Sequence, residues 1–260
     1  MPKSICAVFV CNKGYFVKFI DTCTTLLTNG KYSGPICLIV GDDLDADTVR
    51  QHEFIVKHGI IVKHFPEIVF SEYAIRKMRS LEGGWDGTKR MITWHKLRTY
   101  DVYFKQWEYI FYIDVGMTIY SDVTPILNEA TENTLLAHSD AYPTYEWRLR
   151  NQFDTTKPEF AKLASKYNLD VDYHQSAMML YHTSIITPAT YAELVALAME
   201  YPISKTNDQG IQALYFTNVK PVFKQIRIRN ETTCFYDFSK RNDMDAYIML
   251  KYGPQPKSGG

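Results

Sequence analysis

Residues 109–117 read Tyr-Ile-Phe-Tyr-Ile-Asp-Val-Gly-Met, in which five apolar residues lead directly into an acid and then a glycine. A short run of aromatic and β-branched residues of this kind predicts a buried strand over 109–113. Ligands of open α/β sheets bind beyond the carboxyl ends of the strands. Asp114 follows this strand at once, and it is therefore a candidate site residue.

Outward from this strand, short apolar runs alternate with longer amphipathic stretches, which is the order of an α/β protein. The polar, helix-forming segment 141–172 lies between two predicted strands and indicates an insertion within one domain of residues 1–253, followed by a flexible tail over 254–260. We predict further strands over 5–11, 35–40, 60–64, 135–138, 176–181 and 219–223, and helices over 15–27, 45–58, 92–106, 158–167 and 188–200.

The composition excludes several classes of protein. The chain has 260 residues, of which 46% are apolar, and its 29 basic and 29 acidic side chains cancel, so no global field attracts nucleic acid. The N-terminal apolar run of residues 5–11 is too short to span a membrane, and we expect a cytoplasmic protein without a transmembrane segment. We expect reduced, mostly buried thiols, because no CxxC or zinc-type spacing joins the five cysteines, Cys6, Cys11, Cys23, Cys37 and Cys234.

Common nucleotide-binding and hydrolase motifs are absent from the sequence. No GxGxxG follows the first predicted strand, and the chain contains no GxxxxGK[ST], GxSxG or HExxH. Dehydrogenase, P-loop, α/β-hydrolase and zincin functions therefore lose their main support.

Four other segments carry polar residues in a definite order: Val10-Cys-Asn-Lys-Gly-Tyr15, Thr93-Trp-His-Lys96-Leu97, Gln175-Ser-Ala-Met-Met-Leu-Tyr181 and Asn207-Asp-Gln-Gly-Ile-Gln212. Together with 109–123, they resemble the donor-binding segments of the retaining GT-A glycosyltransferases of the glycogenin-like family eight. In that family an Asp-x-Asp after such a strand binds a divalent metal on a nucleotide diphosphate. The resemblance covers most of the chain, from residue 5 to about residue 220.

The resemblance implies an α/β GT-A fold, with a mixed and mostly parallel central sheet flanked by helices. It implies transfer of a sugar, with retention, from a nucleotide-sugar donor such as a UDP-sugar to a hydroxyl of a glycan, protein or small molecule. Tyr15 would stack on the base, and Asp114 would meet the ribose or a metal. The resemblance assigns catalytic roles to Gln175, Asp208 and Gln209, and donor binding to Val10, Cys11, Asn12, Tyr15, Lys96, Asp114, Val115, Gly116, Ser176 and Ala177.

The chain also departs from the family pattern at the metal ligands. The second acid of Asp-x-Asp is Gly116, and the family's C-terminal histidine has its nearest counterpart in Lys251, six residues before Lys257. Lysines cannot ligate a metal when protonated, but they can neutralise a diphosphate. We therefore expect a donor site that needs no cofactor or binds Mn²⁺ or Mg²⁺ weakly. Asp114 would be a ligand only if a metal is used, with Asp122 or Asp140 as a further acid.

Other interpretations of these residues remain open. The missing carboxylate at Gly116 also suits a non-catalytic protein that binds a nucleotide sugar or glycan on the same scaffold. Asp114 could cap a strand end, Asp208 with Asn207 could cap a helix, and Lys251 could be an ordinary exposed lysine.

Overall fold

The computed structural model describes residues 3–81, 91–141, 146–226 and 248–251, and for Met91, Ile92 and Lys251 it describes the backbone. Within these ranges, the strands are β1 (Ile5–Cys11), β2 (Ile36–Val40), β3 (Ile61–His64), β4 (Tyr109–Ile113), β5 (Met117–Ile119), β6 (Leu135–Ser139), β7 (His174–His182), β8 (Phe223–Gln225) and β9 (Met249–Lys251). Seven of these strands form one sheet in the order β3-β2-β1-β4-β7-β6-β8, and β5 pairs with β9 in a separate two-stranded sheet. β7 runs antiparallel to its neighbours β4 and β6, and the other pairs in the large sheet are parallel. The mixed, mostly parallel α/β sheet predicted from the sequence is confirmed.

Both faces of the central strands are buried, as their continuous apolar runs require. Successive side chains of a strand point to opposite faces. Along β1, Val8 and Val10 pack in the core on one face, whereas Phe9 and Cys11 pack in the core on the other. The four cysteines of the described residues are free and buried, and burial raises the pKa of Cys11 to about 12, so this thiol stays protonated.

Helices cover the two faces of the sheet. In the first helix, α1, Phe19, Cys23 and Leu26 recur at three- or four-residue spacing and are buried against the core. The helices are α1 (Phe16–Thr28), α2 (Ala46–Gln51), α3 (Glu53–Lys57), α4 (Glu72–Arg79), α5 (Met91–Trp94), α6 (Thr124–Asn128), α7 (Pro158–Lys166), α8 (Thr190–Glu200) and α9 (Asp208–Leu214).

Two of the helices predicted from the sequence are interrupted. The stretch 45–58 divides into α2 and α3 at His52, whose backbone is extended and whose ring accepts the Phe54 amide hydrogen. The stretch 92–106 is one turn of α-helix followed by two 3₁₀ segments, His95–Tyr100 and Val102–Gln106. They separate at Asp101, because its carboxylate accepts the Tyr103 amide hydrogen and starts a new turn.

The predicted strand over 219–223 is also wrong. Val219 ends a π-helical segment, Tyr215–Val219, and the strand that pairs with β6 begins only at Phe223. Pro221 lies between them and has no amide hydrogen to give to a strand ladder, so it separates the helix from the strand.

The small β5-β9 pair was not predicted, and it bears directly on the site. The three residues 114–116 separate β5 from β4, and β9 pairs with β5 in the antiparallel sense. The register places Lys251 opposite Met117. A distant part of the chain therefore returns to the turn that contains Gly116.

Candidate functional site at the carboxyl edge of the sheet

Asp114 lies at the end of β4 and is buried, with a 6% exposed surface. Its carboxylate is held from two sides: the Lys96 ammonium lies 2.8 Å from Oδ1, and the Tyr112 hydroxyl donates a 2.7 Å hydrogen bond to the same oxygen. Burial and the nearby Asp114 raise the pKa of Tyr112 well above its usual value, so the phenol remains a donor. Asp114 is therefore neutralised by a lysine and oriented by a tyrosine.

Lys96 also joins Asp114 to a second buried acid, Asp208. The Lys96 ammonium lies 3.8 Å from Asp208 Oδ2 and donates to the Ser176 hydroxyl at 3.3 Å. Ser176 in turn donates to Asp208 Oδ2 at 3.1 Å, and Gln212 Nε2 donates to the same oxygen at 2.8 Å. Four predicted site residues from four separate segments thus form one hydrogen-bonded cluster around a single ammonium group.

Asp208 enters this cluster because it opens α9. Gln212 lies four residues further along, on the same face of the helix, so both side chains reach the cluster together. Asn207 occupies the cap position, but its side chain makes no capping hydrogen bond. The Asp208 carboxylate is directed to Ser176 and Gln212, and the structure shows a buried polar cluster at this helix start.

A second polar network adjoins the first and contains the other two predicted catalytic residues. Gln175 Nε2 donates to Asp140 Oδ1 at 2.8 Å, and Gln209 Nε2 lies 3.3 Å from Asp140 Oδ2. Gln209 Oε1 accepts the amide hydrogen of Ser176 at 3.1 Å, which links the two networks. Burial raises the pKa of Asp140, and the hydrogen bonds from these amides oppose the shift. Among the described residues, the buried Oε1 atom of Gln175 has no hydrogen-bond partner.

The loop after β1 contains the residues predicted to hold a base. Val10 and Cys11 pack into the two cores, whereas Asn12 and Tyr15 lie beyond the strand end. Within the described ranges, the buried Oδ1 atom of Asn12 has no hydrogen-bond partner. Tyr15 is 43% exposed, and the Lys18 ammonium lies 4.8 Å from the centroid of its ring.

The backbone of the turn after Asp114 favours a glycine at position 116, where the family pattern has a second acid. Gly116 has a φ of 96°, a conformation that favours glycine, and its amide hydrogen is donated to Thr22 Oγ1 at 3.0 Å. Val115 is partly buried beside it, and the carbonyl of buried Ala177 accepts the Asp114 amide hydrogen at 2.8 Å. Lys251 reaches this turn through its backbone, and Lys257 lies outside the described residues.

The described acids do not form a metal centre. Over 3–81, 91–141, 146–226 and 248–251, no group of three histidine, cysteine or carboxylate side chains could hold a metal ion. Asp122 lies at the surface, where it accepts the Thr124 amide hydrogen and pairs with Lys31 at 3.7 Å. Asp140 is engaged by glutamine amides, and Asp114 is engaged by Lys96. Hard divalent cations need several oxygen ligands, and the acids of the described residues do not by themselves supply such a set.

Several solved glycosyltransferase structures share this architecture. The bifunctional glycosyltransferase WbbM aligns at a TM-score of 0.59 and 10% identity over 98% of this chain and 46% of its own. GlyE of Streptococcus pneumoniae TIGR4 aligns at 0.58 and 13% identity over 97% and 55%, and the galactosyltransferase LgtC at 0.59 and 10% identity over 95% and 86%. The chain therefore has the fold of GT-A glycosyltransferases, and it spans about half the length of WbbM and GlyE.

No protein-family model matches the chain, and no curated protein matches it. Among the described residues, no helix has the length and apolar character needed to cross a membrane.

Sequence reasoning missed the residues that hold the site together. Tyr112, Gln212 and Gln152 each hydrogen-bond a predicted site residue, but each occurs in a stretch where its side chain looks ordinary. Tyr112 is one aromatic in an apolar strand, and Gln152 lies in a polar stretch without periodicity. Gln212 carried one signal: it lies four residues after Asp208, so a helix capped by Asp208 would place both side chains on one face.

Proposed function

We propose that the chain is a glycosyltransferase that moves a glycosyl group from a UDP-sugar to an acceptor hydroxyl, with retention of anomeric configuration. The observation that carries the proposal is the convergence of Lys96, Asp114, Ser176 and Asp208 at the carboxyl edge of a GT-A sheet. The likeness to glycosyltransferase structures supports the fold on which the proposal rests.

The donor base is proposed to bind at the loop after β1. The exposed Tyr15 ring offers a stacking surface, and the unpartnered Asn12 Oδ1 offers an acceptor. A buried acceptor without a partner is costly, so a ligand that supplies an N–H group there is favoured. The N3–H group of uracil is such a donor. Other bases also carry N–H groups, and the resemblance to UDP-sugar-dependent transferases is why we propose a uridine nucleotide.

The diphosphate is proposed to be neutralised by lysines, with little or no help from a metal. Lys96 lies in the cluster, and the β5-β9 pair returns Lys251 to the turn at Gly116. Lys257 would add a further positive charge. Positive groups fixed at the departing diphosphate stabilise the negative charge that develops as the sugar leaves.

The proposed reaction forms a bond between the acceptor oxygen and the anomeric carbon while the bond from that carbon to the diphosphate breaks. The electron pair of the breaking bond goes to the diphosphate, and the acceptor proton passes to a diphosphate oxygen on the same face. A strongly basic protein side chain is then not required. Asp208 would stabilise positive charge on the sugar, while Gln175 and Gln209 would bind its hydroxyl groups.

The test is a thermal-shift panel of UDP-, GDP-, CMP- and dTDP-sugars, each with Mn²⁺ and with EDTA, followed by hydrolysis of the donor that binds. A ligand at a hundred times its Kd stabilises the folded state by about 2.7 kcal/mol, so a UDP-sugar should raise the Tm in both conditions. The Asp208→Asn variant should keep this shift and lose hydrolysis. No shift with any nucleotide sugar refutes the proposal, and a shift without turnover by the unaltered chain favours the non-catalytic binding protein.

A further inference from the structure

Gln152 is a buried glutamine, 4% exposed, in a short 3₁₀ turn that precedes Phe153. Its Oε1 atom accepts two hydrogen bonds, from Gln209 Nε2 at 3.0 Å and from the Thr206 hydroxyl at 2.6 Å. Its Nε2 atom lies 3.5 Å from Asp140 Oδ2. Gln152 therefore contacts both a predicted catalytic residue and the loop that leads to it.

These contacts define which way the Gln209 carboxamide points. Gln209 Nε2 faces two acceptors, Gln152 Oε1 and Asp140 Oδ2, while Gln209 Oε1 faces the amide hydrogen of Ser176. A flip of the carboxamide would set oxygen against oxygen and nitrogen against a donor. Asp140 also accepts a hydrogen bond from Gln175. The Gln152 side-chain oxygen instead accepts from Gln209 and from Thr206, which lies in the loop that leads to Gln209.

The backbone around Gln152 also holds the turn that begins α9. The Gln152 carbonyl accepts the Lys205 amide hydrogen at 2.8 Å, and Phe153 forms an isolated bridge with Ser204. Ser204 Oγ donates to the carbonyl of Asn207 at 2.7 Å. Asn207 has a φ of 53° and a ψ of −121°, a conformation that non-glycine residues rarely adopt and that persists only where the surroundings hold it.

α9 packs closely against this segment. A Cβ atom at Gly210 would lie 2.5 Å from Ser204 Oγ and 3.2 Å from Gln152 Cβ, so the helix start approaches as near as a glycine permits. The start of α9, with Asp208 and Gln209, is thus seated on Gln152 and Ser204.

We infer that Gln152 is a positioning residue. Its side-chain oxygen is held by the Thr206 hydroxyl and accepts from Gln209 Nε2, and it thereby fixes the Gln209 carboxamide in the orientation needed at the transferred sugar. The inference rests on the proposed function for its catalytic consequence. Its structural part, the fixed orientation of Gln209, stands without that function.

The first measurement is of the side-chain amide protons of Gln209 by NMR, with the signals assigned from a Gln209→Glu variant. In the unaltered chain these protons should exchange slowly with solvent, because both face acceptors. The Q152M variant keeps the length of the side chain and removes its hydrogen bonds, and it should raise this exchange several-fold. Q106M makes the same chemical change at an exposed glutamine and should leave the Gln209 signals unchanged.

The second measurement is of donor hydrolysis. Q152M should lower kcat about ten- to a hundredfold while the donor Kd from thermal shift stays within about twofold, because small displacements of reacting groups cost rate more than binding. Q152E retains the acceptor oxygen for Gln209 and should recover part of the lost kcat. If Q152M does not fold, Q152L, which also removes the hydrogen bonds of the side chain, replaces it in both measurements.

The two proposals fail in different ways. If Gln209 exchange in Q152M equals that of the unaltered chain, the positioning role is overturned whatever the activity. If the exchange rises but the unaltered chain neither binds nor hydrolyses a nucleotide sugar, the positioning role is supported and the proposed function is refuted. If the exchange rises in an active enzyme and kcat does not fall, the catalytic part of the inference is overturned.

Discussion

Replacement of Lys96 by methionine tests the electrostatics of the site most directly. The Lys96 side chain is 12% exposed, and it lies 2.8 Å from Asp114 and 3.8 Å from Asp208, whose side chains are 9% and 4% exposed. Methionine keeps the apolar stem and removes the ammonium group. Two buried carboxylates then lose their shared positive charge.

Removal of one partner from a buried ion pair costs about 3–5 kcal/mol, because the remaining charge is left uncompensated. We expect K96M to lower the free energy of unfolding by about this amount, which corresponds to a fall in Tm of roughly 6–20 °C for a chain of this size. The cost should shrink when a charge is removed with the lysine. The double variant K96M/D114N should therefore be more stable than K96M, since the carboxamide oxygen introduced by D114N can still accept from the Tyr112 hydroxyl.

Urea denaturation of the unaltered chain, K96M, D114N and the double variant gives the coupling energy between Lys96 and Asp114. A coupling of more than about 1 kcal/mol is expected for two groups in direct contact. The reasoning is refuted if K96M costs less than about 1 kcal/mol, or if the two single effects simply add. Either result would mean that water, and not Lys96, compensates the two acids.

Three further predictions concern stability and donor binding. Burial lowers the pKa of His174 from 6.5 to about 4, so the unfolded chain takes up a proton that the native ring refuses, and stability falls as pH drops through this window. His174→Gln should reduce that loss by up to roughly 3 kcal/mol in urea denaturation at pH 4 against pH 7, and equal losses in both chains would contradict it. Gly116→Ala and Gly116→Asp should each lower stability by about 1–3 kcal/mol in the same assay, because a φ of 96° strains any side chain; a fully stable Gly116→Asp variant that gains a Mn²⁺-dependent thermal shift would disprove this account. Tyr15→Ala should weaken UDP-sugar binding roughly 5- to 150-fold by calorimetry through lost stacking, with Tyr15→Phe as the control that binds normally, and an unchanged Kd would remove Tyr15 from the base site.

The sequence predicted the sheet best where burial alone decides the structure. The strands at 5–11 and 109–113 are continuous apolar runs, and such runs are stable only between two covered faces. Prediction failed where a polar side chain redirects the backbone. His52 and Asp101 each accept a neighbouring amide hydrogen and interrupt an otherwise helical pattern, and such local competition leaves the hydrophobic periodicity unchanged.

The site shows the same division between local pattern and tertiary contact. Asp114, Ser176 and Asp208 could be named because each lies in a recognisable segment, and the structure brings them together. Gln152 could not be named, because its role depends on pairing between 152–154 and 203–205, which the sequence does not encode as a period or motif. Contacts of this kind become visible only once the chain is folded.

The balance of charge in the site also bears on how a donor could bind. Lys96 already faces the two carboxylates of Asp114 and Asp208, so this group of three carries a net negative charge at neutral pH if both acids are ionised. A nucleotide diphosphate bound as we propose would bring further negative charge to this edge of the sheet, and an uncompensated excess of negative charge would oppose its binding. The compensation must come either from a metal, for which the described acids do not provide a suitable set, or from additional basic groups. The pairing of β9 with β5 brings the Lys251 backbone opposite Met117, which directly follows Gly116. If the proposed donor site exists, Lys251 is the nearest basic residue that this pairing brings to the turn at Gly116, and its replacement by methionine should weaken donor binding.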